Sequence, residues 1–423
     1  MRYSPRGAQP NRMIHPSALP SAIGSVLDRG MVRTVDFAFS DEQIAIRNTA
    51  RAFIADEVIT RESDALRRER RGEPAITRAE LRDLQHAARK FGFWGLSTPQ
   101  RYGGMELPAV TEALLWAETG RSFIPFRFGG EADNILYHGN DEQKAEYLVP
   151  TIEGDRLSCF AITEPSAGSD AANIRTSARR DGDDWLINGE KTFITGGNDA
   201  DFAIVIAVSD ADKGAREGST AFLVDRAMGW TSHFIPTMGE GGPASLVFDD
   251  VRVPNRNVLG EVGQGFTLGM EWIGRGRYLI PARALGAAER LLQMAIDYAN
   301  TRETFGRKIG ANQAIQWMIA DSEVELEAAR WLVLHAAWTV DQGRDARHAS
   351  SIAKLFGAAM ANEVVDRVLQ IHGGMGYTRE LPIERWYREA RLWRIFEGTD
   401  EMQRLIISRD LLRGYTTIGG HLG

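Results

Sequence analysis

The pattern of hydrophobic and polar positions divides the chain into three stretches. Residues 36–155 carry long Ala-, Leu- and Glu-bearing segments broken by glycine and proline, which predicts helices joined by short loops. Residues 156–262 contain short β-rich runs separated by Asp, Gly and Ser, which are typical of strands. From residue 263 to 415 the apolar positions recur every three or four residues, as in helices. The predicted order is therefore helical, β and helical.

The third stretch contains three apolar stripes with helical spacing. They comprise Leu285, Ala288, Leu292 and Ala295; Leu326, Ala329, Val333, Ala336 and Val340; and Phe356, Met360, Val364, Val368 and Ile371. Long stripes joined by short loops are typical of a helix bundle. We therefore expect these residues to form the core of a bundle, which could also pack against other subunits.

Local signals refine the element boundaries. Ser40 followed three residues later by Gln43 has the spacing of a capping box, which predicts a helix start. Asn188-Gly189 between two apolar runs predicts a hairpin whose strands hold residues 185–187 and 192–194. Further strands are predicted at residues 202–208, 220–224, 245–248 and 251–253, where Val, Ile and Phe are frequent.

Composition and charge exclude several classes of protein. A chain of 423 residues exceeds a single core, and 43% hydrophobic with 25% charged residues excludes a disordered or fibrous chain. A net charge of -7 disfavours a nucleic acid partner, and no apolar run is long enough to predict a membrane span. Because Cys159 is the single cysteine and no short histidine pair occurs, neither a disulfide nor a metal site is expected.

The two ends of the chain are expected to be tails, at residues 1–35 and 416–423. The first tail is rich in Arg and Pro and nearly free of acidic residues. Such a leader could be an organelle transit peptide, which would place the protein in the mitochondrial matrix. We favour a second interpretation, in which translation is read from a start codon upstream of the real domain, which begins near Met31. This interpretation predicts a bacterial cytoplasmic protein.

Glycine motifs for nucleotides are missing from the sequence. Strands and helices do not alternate in the manner of a Rossmann fold, and Gly260, Gly263 and Gly265 have the wrong spacing for a dinucleotide fingerprint. No GxxxxGK[ST] motif occurs either. A nicotinamide-dependent or P-loop enzyme is therefore disfavoured.

Four segments could carry chemistry: residues 159–170, 193–197, 302–313 together with 370–376, and 395–403. The first is a loop dense in hydroxyls and small residues, and the second is a strand end with Thr195 and two glycines. The third offers an arginine at a helix end and a Gly-Gly loop, which suit a pyrophosphate. In the fourth, an apolar pocket would raise the pKa of Glu397 toward that of a general base. Each alone has an ordinary explanation as a turn or helix cap.

Together and in this order, the four segments resemble the acyl-CoA dehydrogenase family of flavoproteins over about residues 36–415. Residues 162–170, Ile-Thr-Glu-Pro-Ser-Ala-Gly-Ser-Asp, look like its first signature, and Gln370, Gly373-Gly374 and Glu397-Gly398-Thr399 look like its second. The resemblance implies an α+β multidomain fold. Its parts are an N-terminal all-α domain (36–155), a middle β-barrel or sandwich domain (156–262) and a C-terminal four-helix bundle (263–415).

The resemblance also implies a reaction. A carboxylate, here Glu397, removes the α-proton of an acyl-CoA thioester while a β-hydride passes to FAD, which gives a trans-2-enoyl-CoA. Electrons then pass to an electron-transferring flavoprotein. Residues that match cofactor contacts are Phe160, Ile162, Thr163, Ser169, Phe193, Thr195, Arg302, Phe305, Gln313, Gln370, Gly374, Thr399 and Glu401. The positions of Arg302, Phe305, Gln313, Gln370 and Gly374 match those that reach the cofactor of a neighbouring subunit, so a homo-oligomer, dimer or tetramer, is implied.

Ser169, Arg277 and Gly398 match substrate contacts, but two departures limit any prediction of the acyl group. Gly274 stands where the family often has an Asp, and residues 239–242 lack the usual Arg and Ser. Some relatives place the base just before the helix arginine, where this chain has Gly276, and this favours Glu397. Alternatives are an enoyl-CoA reductase, a nitroalkane-type oxidase, a flavin-dependent monooxygenase and a non-catalytic scaffold or DNA-associated flavoprotein.

Overall fold

The computed structural model describes residues 38–239 and 241–418. The predicted tail at residues 1–35 lies outside this range, as do residues 419–423 of the second predicted tail. The described residues fall into two units, which divide between Ile44 and Ala45. In the first, the Ser40 hydroxyl accepts the N–H of Gln43 at 3.1 Å and the Gln43 side chain accepts the N–H of Ser40 at 3.0 Å. The predicted capping box is therefore present.

Helices occupy both ends of the described chain. The α-helices are α1 (Asp41–Phe53), α2 (Glu62–Arg70), α3 (Arg78–Lys90), α4 (Ala109–Gly120), α5 (Asp141–Gln143), α6 (Val149–Glu153), α7 (Gly214–Gly218), α8 (Gly265–Thr301), α9 (Gln313–Asp341), α10 (Arg347–His372), α11 (Gly374–Tyr377), α12 (Ile383–Leu392) and α13 (Asp400–Leu412). The three longest, α8, α9 and α10, carry the three predicted stripes. No helix in the described ranges is long and apolar enough to cross a membrane.

One sheet of eight strands lies between the two helical regions. Its strands are β1 (Ser158–Ala161), β2 (Ser177–Asp181), β3 (Asp184–Ile194), β4 (Phe202–Val208), β5 (Ser219–Asp225), β6 (Thr231–Phe234), β7 (Ala244–Val253) and β8 (Val258–Leu259). The order is β6-β7-β3-β2-β4-β5-β8, and β1 pairs with β4 in parallel. A separate short pair joins β9 (Glu303–Thr304) to β10 (Arg307–Lys308). The order helical, β and helical agrees with the prediction.

The predicted hairpin around Asn188-Gly189 is wrong. Both residues lie inside the single strand β3, where the register with β7 shifts between Ile187 and Gly189. Gly189 has a φ of +145°, and a Cβ there would come within 2.6 Å of the Thr176 hydroxyl. The glycine is thus needed at a β-bulge where two strands approach each other closely. The actual turn precedes β3, because Asp181 pairs with Asp184 across a two-residue loop.

Strand β4 shows how the sheet is covered. Alternate residues of a strand point to opposite faces, and every residue from Phe202 to Ala207 is fully buried. Ala203 and Val205 join one apolar cluster with Trp185 and Leu246. The opposite face, through residues such as Ile204, packs against the start of α8 and the segment around α5 and α6. Both faces of the sheet are therefore covered at β4.

The helices before and after the sheet share one apolar core. Phe53, Leu84 and Leu115 belong to the same buried cluster as the α8 stripe, Val333 of α9 and Val364 of α10. Two stripe predictions are wrong, because Val340 is 38% exposed and Phe356 is 37% exposed. The spacing of apolar residues identifies a face, but it cannot tell a core face from an exposed one.

Candidate active site

The loop after β1 and the end of β3 meet at one end of the sheet. The N–H of Thr192 donates to the carbonyl of Thr163 at 2.8 Å, and Lys191 Nζ donates to the carbonyl of Ile162 at 3.0 Å. Phe193, next on β3, has a φ of +58° and is 63% exposed. The backbone thus turns an aromatic ring outward at the edge of this loop.

A buried ion pair fixes the same loop to the sheet. Lys191 Nζ lies 2.8 Å from Glu164 Oε1, and both side chains are almost completely buried. The Glu164 carboxylate also accepts the backbone N–H groups of Arg175 at 2.7 Å and Thr176 at 2.8 Å. Burial works against its charge, but Lys191 and these donors hold the pKa of Glu164 below its usual range. The ion pair and hydrogen bonds of this carboxylate therefore stabilise the position of the loop on the sheet.

Helix α8 connects this loop to a second cluster of predicted residues. The ring of Phe160, on β1, stacks on Trp272 of α8 with centroids 4.3 Å apart. One turn earlier, a Cβ at Gly269 would lie 3.1 Å from the side chain of Ile162. Gly276 and Arg277 lie about one turn beyond Trp272 on the same helix. The sheet-end residues and the C-terminal loop therefore meet along one helix.

Glu397 projects from the loop between α12 and α13 toward Gly276. Its backbone has a φ of +52°, a conformation that non-glycine residues rarely adopt. A Cβ placed on Gly276 would overlap the Glu397 carboxylate. The carboxylate thus occupies space that the absence of a side chain at Gly276 provides. Backbone strain of this kind is common at functional sites.

The environment of Glu397 suits a group that exchanges protons. Burial raises the pKa of its carboxyl to about 7, although the positive charges of Arg127, Arg277 and Lys354 oppose the rise. Its Oε2 atom is buried and has no hydrogen-bond partner among the described residues. A carboxyl with a pKa near neutral and a free oxygen can accept a proton from a bound molecule.

Lys354 anchors the loop that carries Glu397. This side chain is fully buried, and its Nζ donates to the carbonyl of Gly398 at 2.7 Å. Asp400 Oδ1 lies 4.0 Å away, while Arg394 Nε donates to Asp400 Oδ2 at 2.7 Å. Burial lowers the pKa of Lys354 to about 8. Lys354 was not predicted as a site residue, although a lysine among the small residues of an apolar helix stripe is a signal that the sequence contains.

Other predicted residues of the second cluster lie close by. The Thr399 hydroxyl accepts the N–H of Met402 at 3.3 Å and caps α13. Arg277 is half-buried, its pKa is lowered by burial, and its Nε has no partner in the part of the chain that the structure describes. Glu401 is exposed at the first turn of α13, as are Ser169 and Thr195 at the sheet end. The structure therefore brings one group of predicted residues together around α8.

A third group lies at the opposite end of α8. Arg302 follows that helix, about 39 Å beyond Gly276 at 1.5 Å per residue. A cavity of about 520 Å³ opens here, lined by Tyr298, Arg302, Thr304, Ile309, Ile371, His372, Gly373, Gly374 and Met375. Phe305, Gln313 and Gln370 are exposed near it. One chain does not bring these residues to the Glu397 cluster.

The side chains of the first and third groups fit a dinucleotide with a flat ring. At the cavity, Arg302 offers a cation, and the open space beside Gly373 and Gly374 lets a pyrophosphate approach the backbone closely. At the sheet end, exposed Phe193 and the hydroxyls of Thr163 and Thr195 border a surface that a ring could contact. The two groups would contact one such molecule only if they came from different chains.

Three family models match the chain in succession. They are the N-terminal domain of acyl-CoA dehydrogenase at residues 40–155, its middle domain at 159–251 and its C-terminal domain at 263–412. The predicted three-part fold is thereby confirmed.

Curated relatives and solved structures agree with these models. An acyl-CoA dehydrogenase of Bacillus subtilis (strain 168) is 40% identical over 336 residues, 77% of this chain and 88% of the relative. The caffeyl-CoA reductase-Etf complex subunit CarC of Acetobacterium woodii is 36% identical, covering 89% and 99%. Butyryl-CoA dehydrogenase from Megasphaera elsdenii superposes with a TM-score of 0.78 at 31% identity, covering 89% and 100%.

Proposed function

Because this chain belongs to the acyl-CoA dehydrogenase family of FAD-dependent oxidoreductases, we propose that it oxidises an acyl-CoA thioester to a trans-2-enoyl-CoA. The observation that carries this proposal is Glu397. Its carboxyl combines a pKa near 7, a buried oxygen without a partner among the described residues and a position facing Gly276 of α8.

In the proposed reaction Glu397 removes the proton from the carbon α to the thioester. Such a proton is weakly acidic, so the negative charge that develops on the thioester oxygen must be stabilised by hydrogen-bond donors. The backbone N–H of Glu397 is one candidate, because within the described ranges it donates to no other group. The Glu397 carbonyl accepts from Gln403, and the Gly398 carbonyl accepts from Lys354 and Gln403, which fixes the two peptides that follow this donor.

FAD, when bound, supplies the acceptor for the β-hydride. We propose that Phe160, Ile162, Thr163, Ser169, Phe193, Thr195, Thr399 and Glu401 hold it from one chain. Arg302, Phe305, Gln313, Gln370 and Gly374 would hold it from a second chain, in keeping with the separation of the two groups along α8. Ser169, Arg277 and Gly398 are proposed to contact the substrate.

The assembly that this arrangement needs is a homo-oligomer. Helix α9 supports it with exposed apolar side chains at seven-residue intervals, Trp317, Val324, Trp331 and Trp338, which are 41–69% exposed. An apolar stripe with this period is suited to packing against another helix. Arg302→Ala should lower FAD retention without dissociating the oligomer; unchanged FAD content would remove Arg302 from the cofactor site.

The name of the Acetobacterium woodii relative includes an Etf complex. We propose an electron-transferring flavoprotein as the partner that receives the electrons, and the cytoplasm of a bacterium as the location. Anaerobic mixing of the substrate-reduced protein with such a flavoprotein should transfer the electrons.

The decisive experiment is an anaerobic titration of the FAD-loaded protein with short, long, branched and aromatic acyl-CoA thioesters. Loss of the visible flavin absorbance with one class would support the reaction. In Glu397→Gln the flavin should stay bound while its rate of reduction falls about 10²- to 10⁴-fold. Full activity in that variant would place the base elsewhere, and no reduction by any thioester would contradict the proposed function.

A further inference from the structure

Arg283 lies on the face of α8 that contacts Glu397. It follows Gly276 by seven residues, two helical turns, so Gly276, Ile280 and Arg283 share one side of the helix. The axial distance from Gly276 to Arg283 is about 10 Å. Helical side chains lean toward the N-terminal end of their helix, which directs Arg283 back toward Gly276.

Among the residues that the structure describes, Arg283 has no acidic partner. Its Nε is buried without a hydrogen bond, and no carboxylate in residues 38–239 and 241–418 lies within 4.0 Å of its guanidinium. Burial, together with the nearby charge of Arg127, lowers its pKa to about 10. Glu389 acts in the opposite direction, but its carboxylate is paired with Arg385 at 2.8 Å. The guanidinium is therefore partly desolvated and uncompensated.

Arg127 adds a second positive charge at the same place. Its neighbours Phe126 and Phe128 are buried in the helical core, so the arginine side chain leaves on the other side of the segment. Its guanidinium lies 5.4 Å from the centre of the Trp116 ring, and it too has no ion-pair partner among the described residues. Its charge acts on Arg283 and on Glu397 alike. The two arginines and the base therefore border one region.

We propose that Arg283 and Arg127 bind a carboxylate at the far end of the acyl chain, so that the preferred substrate is a dicarboxylic acyl-CoA. This inference rests on the proposed function. A guanidinium binds a carboxylate through two parallel hydrogen bonds, and an anion there relieves the repulsion between the two arginines. A methyl end would leave the partly desolvated Arg283 guanidinium without a partner. The spacing along α8 suits a chain of a few carbons between the thioester and the second carboxylate.

The test compares two thioesters of equal carbon number, adipyl-CoA and hexanoyl-CoA, on the FAD-loaded protein under anaerobic conditions. The wild-type flavin should be reduced at lower concentrations of adipyl-CoA. Arg283→Gln should weaken adipyl-CoA about 10- to 100-fold and leave hexanoyl-CoA unchanged or improved. Arg127→Gln, at an exposed position, should show a smaller loss of the same kind. Arg179→Gln, an exposed arginine of β2, is the matched control and should change neither.

Binding is measured separately from chemistry in the Glu397→Gln background, by calorimetric titration with and without Arg283→Gln. The carboxylate site would be overturned if the wild-type flavin were reduced by hexanoyl-CoA at concentrations equal to or lower than those of adipyl-CoA and Arg283→Gln did not change this. The proposed function would then still stand. Absence of flavin reduction by either thioester and by the wider acyl-CoA panel would overturn both. Loss of adipyl-CoA binding confined to the Arg283 and Arg127 variants is the result we expect.

Discussion

Two glutamates of this protein each sit beside a fully buried lysine, and the two differ in what surrounds the carboxylate. Glu164, after β1, meets Lys191 at 2.8 Å and accepts two backbone N–H groups. Glu397, before α13, leaves Oε2 without a partner, and the nearby Lys354 donates to the Gly398 carbonyl instead. The same pair of residue types therefore produces two different sites.

This difference in surroundings changes the pKa values of the two carboxyl groups in opposite directions. The pKa of Glu164 is held below its usual range, whereas burial raises the pKa of Glu397 to about 7. A carboxylate whose hydrogen bonds are satisfied holds a loop in place, and one whose hydrogen bonds are not satisfied keeps its capacity to take a proton. The arrangement of donors, more than burial alone, separates a structural carboxylate from a reactive one.

Removing Lys191 should have the largest effect on stability. Lys191→Met leaves the Glu164 carboxylate buried without its cation, which should cost about 3–5 kcal/mol of unfolding free energy. The loop at Ile162 and Thr163 should loosen as well, with loss of FAD. Thermal and urea unfolding measure the change, and Lys213→Met, at an exposed lysine, is the control. A melting temperature equal to that of the control would show that the pair contributes little.

Removing Lys354 should have a smaller effect on stability and a distinct effect on pH dependence. Lys354→Met deletes a buried hydrogen bond to Gly398 and should cost about 2 kcal/mol. It also removes a positive charge that opposes the rise in the Glu397 pKa, so this pKa should go up. Because the base must be deprotonated, the profile of flavin reduction rate against pH should shift to higher pH. An unshifted profile would mean that Lys354 acts on structure alone.

The smallest effect is the dependence of stability on pH, and it should have opposite signs at the two glutamates. The raised pKa of Glu397 favours the protonated folded state, so its contribution to stability is lost as pH rises from about 4.5 through 7. Glu397→Gln should therefore be more stable than the wild type at pH 8, and the difference should shrink as pH falls and vanish below about pH 4.5.

Glu164 provides the matched comparison. Its lowered pKa stabilises the fold above about pH 4.5, and this contribution is lost as pH falls through the folded pKa. Glu164→Gln should therefore be less stable than the wild type at pH 8, with the difference shrinking in acid. Melting temperatures of the variants across this range measure both slopes. Slopes of the same sign would contradict the contrast between the two sites.

Much of the fold could be predicted from the sequence because its signals are local. Phe202–Val208 is apolar throughout and forms a strand with the predicted bounds. The hairpin at Asn188-Gly189 was wrong because a bulge and a tight turn favour the same two residues, and pairing with β7 decides between them. Val340 and Phe356 fit their stripes but face outward, which the spacing of residues cannot reveal.

Only those residues of the site that lie in sequence motifs could be predicted. Glu397 lies in a recognisable motif, and its surroundings match the expectation of a raised pKa. Arg283 and Arg127 lie in no motif, and their interpretation depends on the lack of an ion-pair partner within 4.0 Å among the described residues. Lys354 acquires its role from a carbonyl that is 44 residues away in the chain. Such properties depend on contacts between residues that are far apart in the sequence.

The contact between Gly276 and Glu397 also constrains how this protein can evolve. Any side chain at position 276 would overlap the carboxylate of Glu397, so the two positions cannot change independently. Under the proposed function, a lineage that moved its base onto α8 would first have to lose the carboxylate at 397 and pass through an inactive ancestor, or change both codons together. The glycine thus makes the present location of the base hard to abandon by single mutations.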